Sequence, residues 1–153
     1  NYGVNEVYFK WPNDILFNNK KFAGIILESF KTSENKKFVI IGMGINFISS
    51  PNVENYKTTY IKKFLKIKNK FFFLDNFFKN FFSYWHNYIE QKNIIFSKFK
   101  DSLLFLNERI EINISENKSI KGIFKGINKD GSLILFKDSE LLSVYSGNIK
   151  IWL

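Results

Sequence analysis

The chain has 153 residues, of which 45% are hydrophobic, so it can form a core in one domain, or in one domain with a small module. It has no cysteine, which excludes disulfide frameworks, thiol catalysis and zinc ribbons and fits a reducing cytoplasm. The formal net charge of +9 comes from scattered lysines and one arginine, Arg109. A coding bias explains it better than a nucleic-acid surface, because base readout favours the bidentate arginine.

Targeting and membrane segments are not expected. Residues 1–15 lack the basic start, apolar centre and small-residue cleavage site of a signal peptide. Polar residues interrupt the aromatic stretch at 71–89, whereas a membrane-spanning helix needs roughly 20 nearly uninterrupted apolar residues. Because the first residue is Asn1 and a strand-like run follows almost at once, we expect a fragment that lacks an N-terminal part.

The first part of the chain reads as strands joined by turns. We expect a strand at residues 4–10, a turn at Pro12-Asn13-Asp14, a short extended piece at residues 15–17 and a second turn at Asn18-Asn19-Lys20. The apolar runs at 22–30 and 37–47 flank a polar loop, so they predict an antiparallel pair. Since these runs are apolar over much of their length, we expect the pair to be buried on both faces.

The longest helical pattern covers residues 71–91. Apolar positions recur at helical spacing and polar positions fall on the other side, so we expect this Phe-rich helix to pack into the core. His86, the only histidine, lies on the polar side and is expected at the surface. A second helix is expected at residues 94–104, and residues 57–67 are ambiguous.

From Arg109 onward the pattern changes to short alternating runs with turns between them. The runs cover residues 109–114, 119–127, 132–136 and 141–145. Asp130-Gly131 between two of them is a strong hairpin signal. Four or five strands in about 45 residues are what a small SH3-like β-barrel needs. We therefore expect a boundary near residues 106–107, with one domain at 1–106 and the barrel at 107–153.

Three polar clusters lie at the ends or edges of apolar runs in the first 46 residues. The first is Lys10-Trp11-Pro12-Asn13-Asp14. Lysine suits phosphate, asparagine offers a donor and an acceptor, and aspartate can accept from a hydroxyl or orient an amine. Taken alone, the five residues also fit a surface turn with Asx hydrogen bonds.

The other two clusters place glycine beside a polar side chain. Lys21 precedes Ala23-Gly24, and a glycine inside a strand often marks the close approach of a ligand. Lys21 could neutralise a carboxylate or an acyl phosphate, although it also fits a solvated turn. In Gly42-Met43-Gly44-Ile45-Asn46 the glycines let a ring or a phosphate lie against the backbone, and the Asn46 amide suits an adenine edge. The order and spacing of the clusters predict one nucleotide site.

Together these residues resemble the catalytic domain of biotin–protein ligases. The resemblance rests on the Lys10-Trp11-Pro12-Asn13-Asp14 string, on Lys21-x-Ala23-Gly24-Ile25-x-x-Glu28 and on Gly42-x-Gly44-Ile45-Asn46. Gly122-x-x-x-Gly126-Ile127-x-x-Asp130-Gly131-x-Leu133-x-Leu135 and Ser146-Gly147 are similar to the family's C-terminal SH3-like domain. No motif supports residues 49–106.

The resemblance implies an α+β fold, in which part of a biotin/lipoate ligase-type mixed sheet with helices precedes the barrel. It also implies an ATP-dependent ligase that forms biotinyl-5′-AMP and transfers biotin to a lysine of a biotin carboxyl carrier protein. The implied residues are Lys21 and Asp14 for catalysis, Lys21, Ala23, Gly24 and Gly44 for biotin, and Lys10, Asn13 and Asn46 for ATP. Mg²⁺ is expected with the ATP, although no dedicated metal ligands are visible.

The chain departs from the family pattern in two places. The Gly-Arg-rich loop that closes over the adenylate lies upstream of the lysine–tryptophan string in the family, so we expect the fragment to be inactive alone. Where the family's tail tends to read Gly-Glu-x-x-x-Arg, this chain has Gly147-Asn148-Ile149-Lys150-Ile151-Trp152, which leaves Lys150 as a substitute contact for phosphate.

The remaining expectations concern partners and rival functions. A cytoplasmic protein is expected, and the edge of the strand pair at 22–47 is a candidate for a sheet-to-sheet homodimer, which the resemblance also implies. The alternatives are a lipoate or octanoate ligase or transferase of the same superfamily, and a non-enzymatic remnant that binds RNA or a protein.

Overall fold

The computed structural model describes residues 6–150, which form two antiparallel sheets joined by a helical segment. The first sheet contains β1 (Val7–Lys10), β2 (Asp14–Phe17), β3 (Lys20–Lys31) and β4 (Lys37–Ile45), paired in sequence order. The helical segment contains α1 (Ile61–Phe64), α2 (Lys70–His86) and α3 (Tyr88–Asp101). The second sheet contains β5 (Arg109–Ser115), β6 (Lys118–Ile127), β7 (Leu133–Lys137), β8 (Glu140–Val144) and β9 (Asn148–Ile149). The architecture is therefore mixed α+β, as the sequence predicts.

The strands of the first sheet follow the predicted turns. Asn18 and Asn19 join β2 to β3 and both have positive φ, 47° and 58°, which suits a two-residue hairpin turn and which asparagine tolerates. The predicted antiparallel pair is confirmed as β3 and β4, with Gly24 opposite Gly44. The predicted first strand is confirmed from Val7, and the start expected at residue 4 lies outside the described residues.

The expectation that this strand pair is buried on both faces is wrong for its outer half. Large apolar side chains there are exposed: Ile26, Leu27, Phe30, Phe38, Val39, Ile40 and Ile41. Consecutive apolar residues point to opposite faces of a sheet, so burial needs a covering layer on each side. Residues 6–150 do not supply those layers.

The predicted long helix at 71–91 is divided into α2 and α3 at Asn87. Asn69 caps the start of α2, because its side chain accepts a hydrogen bond from the Phe72 N–H at 2.9 Å. At the end, the Asn87 side chain donates to the Ser83 carbonyl at 3.0 Å, a local bond of the kind that competes with helix continuation. His86 is exposed, as expected.

The expectation that α2 packs into the core is also wrong within residues 6–150. No residue of α2 is buried, and Trp85 is 64% exposed. The Phe77, Phe81 and Trp85 rings instead stack along the helix surface. No helix in the part of the chain that the structure describes has the length and apolarity to cross a membrane.

The second sheet holds the main core. Its strand order is β8-β7-β6-β5-β9, so the four predicted strands are confirmed and β9 is added. β8 and β9 are the outer strands, and the ladder remains open among the described residues. Phe124, Ile112, Leu133 and Leu135 are fully buried, as expected for inward positions of alternating strands.

β1 and the turn that follows it contact both the end of the helical segment and the second sheet. The Phe9 N–H donates to the Ser102 carbonyl at 2.8 Å, and the Leu104 N–H donates to the Phe9 carbonyl at 2.9 Å. Trp11 packs in the same buried cluster as Ile110 and Phe124 of the second sheet. These contacts fix the Lys10–Asp14 turn beside the second sheet.

Candidate functional site

The site is built on the turn between β1 and β2. Lys10 ends β1 and Asp14 begins β2, and the two residues are paired across the ladder. Lys10 Nζ lies 3.5 Å from Asp14 Oδ2, and Lys21 Nζ from the start of β3 lies 2.5 Å from Asp14 Oδ1. One carboxylate therefore holds two ammonium groups, which the sequence separates by eleven positions.

The two lysines have different environments. Lys10 is only 8% exposed, and this burial lowers its pKa, although the attraction of Asp14 opposes that shift. The Lys21 side chain is 29% exposed, and its Nζ lies 5.4 Å from the centre of the Tyr56 ring. Lys21 is thus the lysine of the pair that an incoming anion can reach.

These residues line a cleft of about 1400 Å³, here called the lysine cleft. Its lysines outnumber its carboxylates: Lys10, Lys20, Lys21, Lys57 and Lys150 against Asp14 and Glu54. An excess of one sign of charge in a concave site raises the local concentration of the opposite ion. The lysine cleft is therefore suited to an anionic ligand.

A second pocket of about 510 Å³, here called the glycine groove, adjoins the lysine cleft. Gly24 and Gly44 face each other across β3 and β4, and both line it. A Cβ on Gly44 would meet nothing within 4 Å, so the groove is open there, whereas a Cβ on Gly24 would lie 3.6 Å from the Asn13 carbonyl. The residues shared by both pockets are Asn13, Lys21, Pro51, Tyr56 and Thr58.

The structure brings all the predicted site residues to these two pockets. Lys10, Asn13, Asp14 and Lys21 line the lysine cleft, and Asn13, Lys21, Ala23, Gly24, Gly44 and Asn46 line the glycine groove. Asn46 also has a structural task, because its Nδ2 donates to the Thr59 carbonyl at 3.1 Å. That bond commits one of its amide protons to the 58–61 segment.

Sequence reasoning missed the loop at residues 50–58. Every residue of it lines the lysine cleft. The loop is held by backbone bonds to Lys21: the Lys21 N–H donates to the Lys57 carbonyl, and the Thr59 N–H donates to the Lys21 carbonyl, both at 2.9 Å. The only sequence signal was its position soon after the third polar cluster, which ends at Asn46.

The second sheet also contributes a wall, through Asn113, Asn148, Ile149 and Lys150. Lys150 Nζ lies 3.6 Å from an oxygen of Glu111, a buried carboxylate that also faces Lys121. A hydrogen bond from Ser119 and the two nearby lysines hold the pKa of Glu111 below its usual value, against the opposing effect of burial. The sequence suggested Lys150 as a phosphate contact, and the structure places it on the cleft.

No metal centre is formed by residues 6–150, since they contain no group of three histidine, cysteine, aspartate or glutamate side chains that could hold an ion. Both oxygens of Asp14 face lysine ammonium groups. Its donor set therefore suits cations of the protein rather than a resident metal.

Two family models match the chain. Residues 1–46 match the biotin/lipoate A/B protein ligase family, and residues 105–152 match the biotin protein ligase C-terminal domain. These segments contain all the predicted site residues and all five strands of the second sheet. The segment between them, which includes the loop and the helices, is matched by neither model.

Curated relatives agree with these matches. The bifunctional ligase/repressor BirA of Escherichia coli is 26% identical over 97% of this chain and 47% of its own length. The BirA of Bacillus subtilis is 51% identical over 43 residues, which are 28% of this chain and 13% of that protein. The chain spans about half the length of the E. coli relative.

Among solved structures, biotin protein ligase from Aquifex aeolicus in complex with biotin and ATP has a TM-score of 0.70 and 22% identity, over 94% of this chain and 60% of that chain. This likeness shows a shared fold. The fold and the matched segments define the class as the biotin and lipoate protein ligases. The C-terminal match is to a biotin protein ligase domain and the curated relatives are biotin ligases, so the two matched segments support a member of the biotin protein ligase family.

Proposed function

We propose that this chain forms the nucleotide-side wall of an ATP-dependent biotin ligase, which makes biotinyl-5′-AMP and transfers biotin to a lysine of a biotin carboxyl carrier protein. One observation carries the proposal. Asp14 holds Lys10 and Lys21 at the point where a lysine-rich cleft opens into a glycine-lined groove. A cationic pocket next to a flat apolar one suits a polyphosphate joined to a planar base.

The first step must bring two anions together. An oxygen of the biotin carboxylate attacks the α-phosphorus of ATP, the bond from that phosphorus to the bridging oxygen breaks, and pyrophosphate leaves. Positive charge at the α-phosphate lowers the repulsion and stabilises the transition state. Lys21 has the required position, since it borders both pockets and is more accessible than Lys10. The Lys21 ammonium would leave the Asp14 carboxylate and contact the reacting oxygens. It would then lie next to the negative charge that develops there.

The second step transfers the acyl group. The neutral amine of the carrier lysine attacks the acyl carbon of biotinyl-5′-AMP, the bond from that carbon to the phosphate oxygen breaks, and AMP leaves with both electrons. The attacking nitrogen then loses one proton to solvent water, which leaves the neutral amide. Asp14 lines the lysine cleft beside Lys21, which borders both pockets, and its carboxylate could orient this amine once Lys21 has moved to the acyl phosphate.

The other residues have supporting roles in this proposal. Lys10 and Asn13 line the phosphate side, and Asn46 lies at the adenine end of the glycine groove. The backbone of Ala23, Gly24 and Gly44 flanks the adenylate and its biotinyl group. Mg²⁺ would arrive as the counter-ion of the ATP phosphates, because both Asp14 oxygens face lysines.

The catalytic domain would extend beyond this chain. We place its C-terminal part at residues 1–106 and an SH3-like domain at 107–153, in which β5–β9 form a partly open barrel. The apolar outer halves of β3 and β4 and the aromatic surface of α2 are exposed in residues 6–150, as expected if a preceding segment covers them. That segment would supply the Gly-Arg-rich loop, so the chain alone would not form biotinyl-5′-AMP.

The assembly would be cytoplasmic. Besides the carrier protein, a second copy could pair through the β4 edge, which ends the four-stranded ladder in the described residues. A charge-reversing change on that edge, with sedimentation as the readout, would separate an intermolecular sheet from a monomer.

The test of the proposed function uses the full-length protein that contains this chain. Lys21→Ala should lower biotin-dependent exchange of pyrophosphate into ATP by roughly 10²-fold or more, since it removes a charge from the reacting phosphate. Lys92→Ala, an exposed lysine on α3, is the matched control and should retain full exchange. Near-normal exchange in Lys21→Ala would overturn the assignment, and stimulation by lipoate instead of biotin would reassign the substrate.

A further inference from the structure

Trp11 lies at the joint between the two sheets, inside the string that carries Lys10 and Asp14. It is 5% exposed and packs in the buried cluster of the second sheet with Ile110 and Phe124. Its Nε1–H donates a hydrogen bond to the Gly131 carbonyl at 3.0 Å. Buried indole N–H groups normally need such a partner, so this bond fixes the ring in one orientation.

The acceptor of that bond is held in a fixed turn. The Asp130 carboxylate accepts from the Ser132 N–H at 3.0 Å and from the Ser132 hydroxyl at 2.6 Å. The Gly131 N–H donates to the Asn128 carbonyl at 3.0 Å, and Gly131 has φ of +85°, which glycine adopts without strain. The Gly131 carbonyl is therefore presented by a turn that hydrogen bonds hold in shape.

The two ends of this joint lead to opposite walls of the lysine cleft. Lys10 and Asp14, which are close to Trp11 in the chain, line one wall. Asn148 of β9 and Lys150, which follows that strand, line the other. β9 pairs with β5, whose residue Ile112 belongs to the same buried cluster as Trp11. The wall formed by the turn and the wall formed by the tail are thus connected through the indole ring.

We propose that Trp11 is a positioning residue, and that its hydrogen bond to Gly131 sets the separation of the two walls and thereby the affinity of the lysine cleft for a polyphosphate. Trp11 touches no reacting atom in this account. It acts through Lys10 and Asp14 on one wall and through the second sheet on the other.

The experiment uses the 153-residue chain and measures the distance between the two sheets that carry the walls. Because the chain has no cysteine, nitroxide labels at Glu28→Cys and Glu140→Cys report one distance between the two sheets by pulsed electron paramagnetic resonance. Trp11→Phe keeps an aromatic ring but removes the donor, and it should broaden or shift the distance distribution. Trp85→Phe changes an exposed tryptophan of α2 and should leave the distribution as in the parent.

Pyrophosphate binding by titration calorimetry is the second arm. Trp11→Phe should bind pyrophosphate about five-fold more weakly than the parent, roughly the effect of losing one partly buried hydrogen bond. Asp130→Ala weakens the turn that holds the acceptor, at an exposed side chain, and should act in the same direction. Asp130→Asn keeps an acceptor for Ser132 and should restore most of the affinity.

The outcomes separate two questions. Parent-like distances in both Trp11→Phe and Asp130→Ala would overturn the positioning role. Altered distances with unchanged pyrophosphate affinity would also overturn it. Failure of the parent chain to bind pyrophosphate would count against the proposed function, on which only the affinity arm rests, and the distances would still decide whether Trp11 sets the wall separation.

Discussion

The second sheet and the outer half of the β3–β4 hairpin are both made of apolar strands, yet they lie in opposite environments. Phe124 and Leu135 in the second sheet are fully buried, whereas Leu27 and Val39 in the hairpin are exposed. The alternating strands bury one face against each other and leave polar residues outside. The hairpin is apolar on both faces, which is typical of strands that are buried between two packing layers.

The largest expected effect tests the buried side of this comparison. Phe124→Ala should lower the free energy of unfolding by about 3–5 kcal/mol, because it removes a fully buried aromatic ring and leaves a cavity. Phe82→Ala, on the exposed surface of α2, should cost less than about 1 kcal/mol. Urea denaturation of both variants measures the two changes in the free energy of unfolding. Equal losses would contradict the difference in burial between the second sheet and the exposed surface of α2.

At the site, one substitution should keep or raise the stability of the fold while it weakens ligand binding. Lys10→Met removes a buried ammonium whose pKa is lowered by burial, so the melting temperature should stay level or rise by up to about 3 °C. ATP binding should weaken at the same time, because the lysine cleft loses a charge.

Calorimetric melting and titration on the same Lys10→Met sample check both parts. A melting temperature lower by more than about 5 °C would show that the Lys10–Asp14 ion pair stabilises the fold by more than the burial of the Lys10 ammonium costs.

The exposed side of the comparison is tested by a surface change. Leu27→Lys together with Ile40→Lys should change the free energy of unfolding by about 0.5 kcal/mol or less, since both side chains are exposed. Self-association of the 153-residue chain should fall, because charge blocks edge and face contacts between copies.

Sedimentation velocity before and after these changes measures the association. A large loss of stability in the double variant would mean that the outer hairpin is already covered within the chain.

The smallest expected effect is the loss of folding stability at low pH. Glu111 and Asp130 both have pKa values held below their ordinary values of 4.5 and 3.8 in the folded chain. The stability from these two carboxylates is therefore present above their unfolded pKa values and is lost as the pH falls through their lower folded values.

The measurement is the melting temperature followed from pH 6 downward at constant ionic strength. Glu111→Gln should flatten this profile below about pH 4.5, whereas Glu90→Gln on α3 should not. A parallel profile in both variants would remove Glu111 from the acid response.

Much of this fold could be predicted because local signals decide it. Turns such as Asp130-Gly131 and Asn18-Asn19 mark the strand ends, and alternation in β5–β8 marks the buried face. The burial of the hairpin and of α2 could not be predicted correctly. An apolar pattern indicates residues that are suited to burial, but it does not show whether another segment of the chain packs over them. The break at Asn87 depends on a side-chain bond that periodicity does not reveal.

The candidate site also has a part that the sequence could predict and a part that only the fold brings together. Lys10, Asn13 and Asp14 are neighbours in sequence, and their motif shows the kind of chemistry they suit. The cleft wall at residues 50–58 and the wall at Asn148–Lys150 come from chain segments that approach only in three dimensions. Their residue types are ordinary, so only the fold assigns them to the site.

The most direct test of the central claim is ATP binding to the 153-residue chain by titration calorimetry. If Asp14 holds Lys21 at an ATP site, Lys21→Ala should bind ATP about ten-fold more weakly than the parent, consistent with the loss of a charge-assisted contact. Lys92→Ala should bind as the parent does. Equal affinity in the parent and Lys21→Ala, or no ATP binding by the parent, would contradict the account.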